Sequence, residues 1–203
     1  MLERTLPPFM QRAFRIVLPR NHWLDGAIRL LGFVLIFERL LPPPLAGGLA
    51  IALATLLVVR LAFWSPHRAL RQIEVGIMVL GYGMLVVQLL IAAPALALHP
   101  AWVGAVPVHL FAFGVMGLII PAMQVRIAKG HTGRDPVFDR TDRMVLWLML
   151  LALGARVVAP QIFPTGYSVW LALAAGCWFA GFATLAVRYS PFLLQARVDG
   201  RKY

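Results

Sequence analysis

Residues 73–96 read IEVGIMVLGYGMLVVQLLIAAPAL, in which Glu74 is the only charged side chain. At 1.5 Å per residue such a run makes a helix of roughly 36 Å, enough to cross the ~30 Å hydrocarbon core of a bilayer. Working outward, five further runs have this character: Leu24–Leu41, Leu45–Trp64, Trp102–Ala128, Met144–Ala159 and Tyr167–Val187. The first carries Arg29, Glu38 and Arg39, and the fifth is short and holds Arg156 near its far end. The pattern predicts an all-α, polytopic membrane helix bundle of six spans.

Composition supports the same reading. Of 203 residues, 61% are hydrophobic and 13% charged, against about half and about a quarter in soluble domains. The surplus apolar surface needs lipid as its solvent. One membrane domain is expected, with a basic tail over 1–23, the spans over 24–187 and a second basic tail over 188–203. A net charge of +11 would suggest nucleic acid in a soluble protein, but here arginines gather at the ends of apolar runs and no nucleic-acid partner is expected. Such a basic rim attracts anionic lipid instead. Cys177 is the only cysteine, so no disulfide forms within the chain. The first twenty residues lack a short apolar core with a small-residue cleavage site and read as a retained tail.

The connections alternate in charge. Arg4, Arg12, Arg15 and Arg20 precede the first span, and Arg60, Arg68 and Arg71 separate the second from the third. Arg126, Lys129, Arg134, Arg140 and Arg143 separate the fourth from the fifth, and Arg188, Arg197, Arg201 and Lys202 follow the sixth. The other three connections hold only Arg39 and Arg156 at their borders. The positive-inside rule then places both termini in the cytoplasm, as an even number of spans requires. Pro42–Pro44, Pro100, Pro160 and Pro164 break the chain at the external turns, while Pro107 and Pro121 should kink the fourth span. Gly76, Gly81, Gly83, Gly114 and Gly117 offer close helix contacts or room for a flat cofactor.

His109 is the sharpest chemical feature, lying seven residues inside the expected fourth span and so about 10 Å deep. An ionisable group there points to function, and neutral imidazole is the commonest metal ligand. Met116 and Met123 follow at seven-residue spacing, near the same helix face, and imidazole with thioether suits haem iron or copper. The plain alternative is a histidine bonded to a neighbouring helix, with methionines filling gaps. At the end of the same span stands Arg126-Ile-Ala-Lys-Gly130-His131-Thr132-Gly133-Arg134. Gly130 can end the helix with positive φ and Gly133 allows a second tight turn. Arg126 and Arg134 could pair with propionate or phosphate oxygens, or the segment is a basic helix stop. Glu74, Gly81 and Gln88 make a semi-polar stripe that should face the bundle interior. Arg156 could neutralise a propionate or partner Glu38; otherwise it snorkels. His22, His67 and His99 lie at span ends or in loops. No nucleotide loop, Ser/His/Asp arrangement or zinc-spaced cysteine set is present, so no catalysed reaction is assigned.

HLFAFGVMGLIIPAMQVRIAKGHTGR from His109 onward, an apolar span ending in RVVAP, and the closing RYSPFLLQARVDGR together resemble the second half of the NnrS family. These are bacterial haem- and copper-containing membrane proteins associated with the response to nitric oxide. RLAFW and GYGM, around Arg60–Met84, resemble the preceding part more weakly. The resemblance implies a half-length form in the bacterial cytoplasmic membrane, completed by a homodimer or by a respiratory oxidase or reductase subunit. It implies haem, b-type by expectation, with His109 as axial ligand and Arg126, Arg134 and Arg156 as propionate partners. Copper is the second expected cofactor, with His131 and Met116 as further metal ligands. Family members often carry a histidine two residues before the Gly-Tyr pair, where this chain has Val79, which puts one metal site in question. His109 and His131 are 22 residues apart, about 30 Å if helical, so they serve two centres if both ligate. Three functions follow. The first is a haem-binding protein of nitric oxide response or respiratory electron transfer. The others are a cofactor-free accessory subunit of a terminal oxidase or reductase, and a dimeric transporter using Glu74, Gln88 and His109.

Overall fold

The computed structural model describes residues 2–15, 18–19, 21–98, 104–198 and 200. His99, Pro100, Trp102, Arg20, Arg201, Lys202 and the side chains of Arg4 and Arg12 lie outside the described residues. All regular structure among the described residues is helical. We label the principal helices α1 (Leu2–Phe14), α2 (His22–Leu35), α3 (Pro43–Phe63), α4 (Ile73–Leu98), α5 (Val106–His131), α6 (Arg140–Ile162) and α7 (Tyr167–Leu194). Helices α3 to α7 are long and apolar enough to cross a membrane, and they correspond to five of the six expected spans. The chain is a multi-pass membrane protein.

The first expected span, Leu24–Leu41, is met by a shorter element. Helix α2 has 14 residues, about 21 Å at 1.5 Å per residue, short of a ~30 Å crossing. It begins where Asn21 Oδ1 accepts from the backbone N–H groups of Trp23 and Leu24, at 3.1 and 3.2 Å, with Asp25 in the first turn favoured by the helix dipole. It ends at Leu35, after which the exposed charged pair Glu38 and Arg39 sits in a 3₁₀ turn. Pro43 and Pro44 then open α3, a position that needs no backbone N–H.

The chain divides into two compact units, residues 1–115 and 116–203. In the first, α3 packs along α4, and α2 and α1 add to them. Small residues of α3 allow the approach: Ala46, Gly47, Ala50 and Ala54 are buried at helical spacing. A Cβ on Gly47 would stand 2.9 Å from the Ala93 carbonyl oxygen and 3.0 Å from Ala97 Cβ, so only glycine fits. The basic N-terminal segment is not merely a tail, because Leu6 and Met10 of α1 are fully buried at the i, i+4 spacing of one helix face.

In the second unit, Gly117–His131 of α5, α6 and α7 pack on one another. A capping box starts α6: Asp139 Oδ1 accepts from Thr141 and Asp142 N–H, while Asp142 Oδ2 accepts from Asp139 N–H. Two π segments interrupt the spans, Leu110–Met116 in α5 and Gly154–Val158 in α6. Pro160 follows the second, and its missing N–H and ring clash disturb the Arg156 carbonyl within it, while Pro121 does the same to Gly117, just past the end of the first. Pro107, expected to kink α5, instead sits in its first turn, where it costs no hydrogen bond.

Candidate functional site

The described part of α5 begins at Val106, preceded by Gly104 at φ +46. His109 therefore lies three residues, about 4.5 Å, past that start, shallower than the seven-residue depth expected from a span beginning at Trp102. It is half-buried, and its backbone N–H donates to Ala105 O at 3.1 Å. The π segment follows at once, so seven-residue spacing no longer returns a side chain to His109's face. Met116, at the end of that segment, is 42% exposed, whereas Met123 is buried.

Further along α5, the helix runs through Gly130 to His131. Positive φ falls on Gly133, at +75, and not on Gly130, which stays helical. Gly133 N–H donates to Gly130 O at 3.2 Å and Arg134 N–H to Lys129 O at 2.9 Å, the paired bonds of a Schellman stop. Thr132 is buried, its hydroxyl donating to Ala128 O at 2.8 Å. His131 is exposed. Arg134 lies 4.0 Å over the Phe192 ring and donates to Gln195 Oε1 at 3.4 Å. Val198 N–H donates to Thr132 O at 3.0 Å, so the segment after α7 is fastened to this turn. Arg126 is half-buried with its guanidinium 5.8 Å over Phe138. In the π segment of α6, Arg156 donates to Tyr167 Oη at 3.1 Å and lies 5.5 Å over that ring.

Sequence reasoning missed the best-built polar site of the second unit. Lys129 is buried beside a fully buried Asp142. Its Nζ donates to Asp142 Oδ2 at 2.6 Å and to Val137 O at 2.6 Å, and lies 3.6 Å from Asp139 Oδ2. Tyr189 Oη donates to Asp142 Oδ1 at 2.6 Å. Arg188 pairs with Asp139 and reaches within 3.7 Å of Asp142 Oδ1. Two charges removed from solvent are tolerated here because the ammonium donates two hydrogen bonds and the Asp142 carboxylate accepts three. Asp139 stands at the head of α6 and titrates below the ordinary aspartate value of 3.8. Partial desolvation raises it, but the Asp142 and Thr141 N–H groups and the Arg188 and Lys129 cations lower it further. The signal available in the sequence was Asp139-x-x-Asp142, a capping-box spacing.

The first unit has a counterpart. Arg60, near the end of α3, pairs with Asp25 at 3.0 Å and donates through Nε to Tyr82 Oη at 2.8 Å. Its guanidinium lies 5.3 Å over Trp64 and 5.4 Å over Tyr82. Of the Glu74, Gly81 and Gln88 stripe, Gly81 is buried and the two polar ends are half-buried. Val79 is buried.

Whether these residues could hold a metal or haem turns on the donor set. Among the described residues, no three His, Cys, Asp or Glu side chains gather so as to hold a metal ion. A copper centre of that kind is therefore not assembled among the described residues. A haem asks less, since a single imidazole can hold the iron, and half-buried His109 beside a widened helical turn fits that requirement.

The family model for NnrS protein matches residues 1–197, so the relationship reaches well beyond the strings after His109. No curated protein and no solved structure matches the chain. The chain belongs to the NnrS family, and it is a membrane protein in the area of nitric oxide response.

Proposed function

We propose that this is a haem-binding protein of the bacterial cytoplasmic membrane, acting in nitric oxide response or respiratory electron transfer. The observation that carries the reading is His109, a half-buried imidazole immediately ahead of a π segment, the kind of helix irregularity that recurs at functional sites. Family membership supports it. His109 would supply an iron-binding nitrogen in its neutral form, and Arg126 and Arg156 are candidates for balancing propionate charge. Bound haem iron would supply a redox couple and a coordination position for a diatomic ligand. Copper is the second cofactor of this reading, and a homodimer or a complex with a respiratory subunit is its complete form.

The visible spectrum of detergent-purified protein, with a metal assay, tests this. A Soret band is expected in the native chain and should fall at least roughly tenfold in His109→Ala, as loss of an axial ligand demands. Met116→Leu should leave the band in place, because Met116 is 42% exposed. An unchanged band in His109→Ala overturns the assignment. A colourless, metal-free preparation that copurifies with an oxidase would instead identify an accessory subunit.

A further inference from the structure

We propose that the groove between α5 and α7 holds an acyl chain of an anionic phospholipid, whose phosphate is bound by Arg134 and His131 at the groove's charged end. The groove has a volume of about 380 Å³ and is lined by Gln124, Ile127 and Ala128 of α5 and by Phe182, Ala186 and Leu193 of α7. Tyr189 completes the wall, and no charged side chain enters the lining. The Ser190 hydroxyl is committed to Ala186 O at 2.6 Å, so the lining offers little to a polar ligand.

Arg134 and the imidazole of His131 stand next to lining residues at one end of this groove. His131 stands three residues beyond Ala128, on the same face of α5, and is exposed. From Tyr189, the Phe192 ring is 5.6 Å away and the Arg134 guanidinium lies 4.0 Å over Phe192. Asp139 and Asp142 are already paired with Lys129 and Arg188. Arg134 makes only a long bond, 3.4 Å, to Gln195, and its buried Nη1 has no hydrogen-bond partner among the described residues. Arg134 as a whole is half-buried, so a phosphate oxygen can meet the part of the guanidinium that stays accessible.

A groove in a bilayer does not stay void, since an empty lining forfeits its dispersion contacts. Lipid tails are as apolar as leucine, so filling it selects for shape and little else. The charge at its end makes the selection. A zwitterionic or neutral lipid gains little there. A second copy of this chain would bring its own cationic end against the first. An anionic headgroup gains attraction at Arg134 and a hydrogen bond from the His131 ring N–H.

Native mass spectrometry of the full chain, released from nanodiscs of phosphatidylglycerol and phosphatidylcholine with matched acyl chains, tests the proposal. One phosphatidylglycerol per chain is expected to survive delipidation, in preference to phosphatidylcholine. Arg134→Gln should reduce its retention roughly fivefold, the effect of one interfacial cation, while Arg134→Lys keeps most of it. Ala186→Phe, which fills the groove and leaves Arg134 in place, should also abolish retention. Equal retention of the two lipids, or retention unchanged in both Arg134→Gln and Ala186→Phe, overturns the proposal. So does a lipid-free dimer whose dissociation follows Ala186→Phe.

Discussion

Each unit fastens a charged helix end with an acid, a base and a tyrosine, yet the two clusters are built on different physics. In the first, Arg60 spreads its charge between the faces of Trp64 and Tyr82 and receives support from Asp25. Asp25 and Arg60 keep 14% and 11% side-chain exposure, so a partner lost is partly replaced by water. In the second, Lys129 is a point charge held by Val137 O and the fully buried Asp142, whose other oxygen takes the Tyr189 proton. A planar delocalised cation tolerates loss of one contact, whereas a buried ammonium does not. The same residue classes can therefore make a forgiving anchor or a brittle one, according to burial.

The largest effect should come from breaking the brittle cluster. Asp142→Ala leaves Lys129 with only the more distant Asp139, 3.6 Å away, as counter-charge and Tyr189 without its acceptor, and should cost about 3–5 kcal/mol. Thermal unfolding in detergent measures it. Lys129→Met with Asp142→Leu should recover most of the loss, since an apolar pair of similar volume is often neutral; no recovery would mean the charges do more than hold helices.

Arg60→Lys probes the other cluster. It keeps the charge but gives up the stacked plane and the Nε bond to Tyr82, for about 1.5–3 kcal/mol in the same assay. A cost exceeding that of Asp142→Ala would invert the comparison.

The smallest effect concerns pH. Asp139 has a lowered folded-state value, so its contribution is complete above the unfolded value of 3.8 and is lost as pH falls through the lower folded value. The melting temperature of Asp139→Asn should thus converge on that of the native chain toward acid and diverge from it near neutrality. Parallel curves would remove Asp139 from the network.

Much of the fold could be read from apolar run length, because a lipid-facing helix must be apolar over its whole crossing. Residues 24–41 misled because run length counts the apolar Leu35–Phe37 and Leu40–Leu41 alike, while the helix stops at Leu35. The turn after α5 was half legible: two glycines signalled a stop, but which of them takes positive φ is set by the bonds Arg134 and Gly133 make. Pro121 marked irregular helix, though not that it would be π, whereas Pro160, expected to break the chain at an external turn, lies inside α6. The buried cluster stayed hidden because its members come from three separate helices: Lys129 is 13 residues from Asp142, and Tyr189 is 47 from it. Charged residues at span ends also look alike in sequence whether they orient the chain or lock it.

The bond from Val198 N–H to Thr132 O, with Arg134 reaching Phe192 and Gln195, makes one mechanical piece of two segments some sixty residues apart in the chain. Substitutions at the Gly-His-Thr-Gly-Arg turn and in the segment behind α7 should then covary among relatives instead of drifting separately. In an exchange experiment the amide protons of both segments should open together.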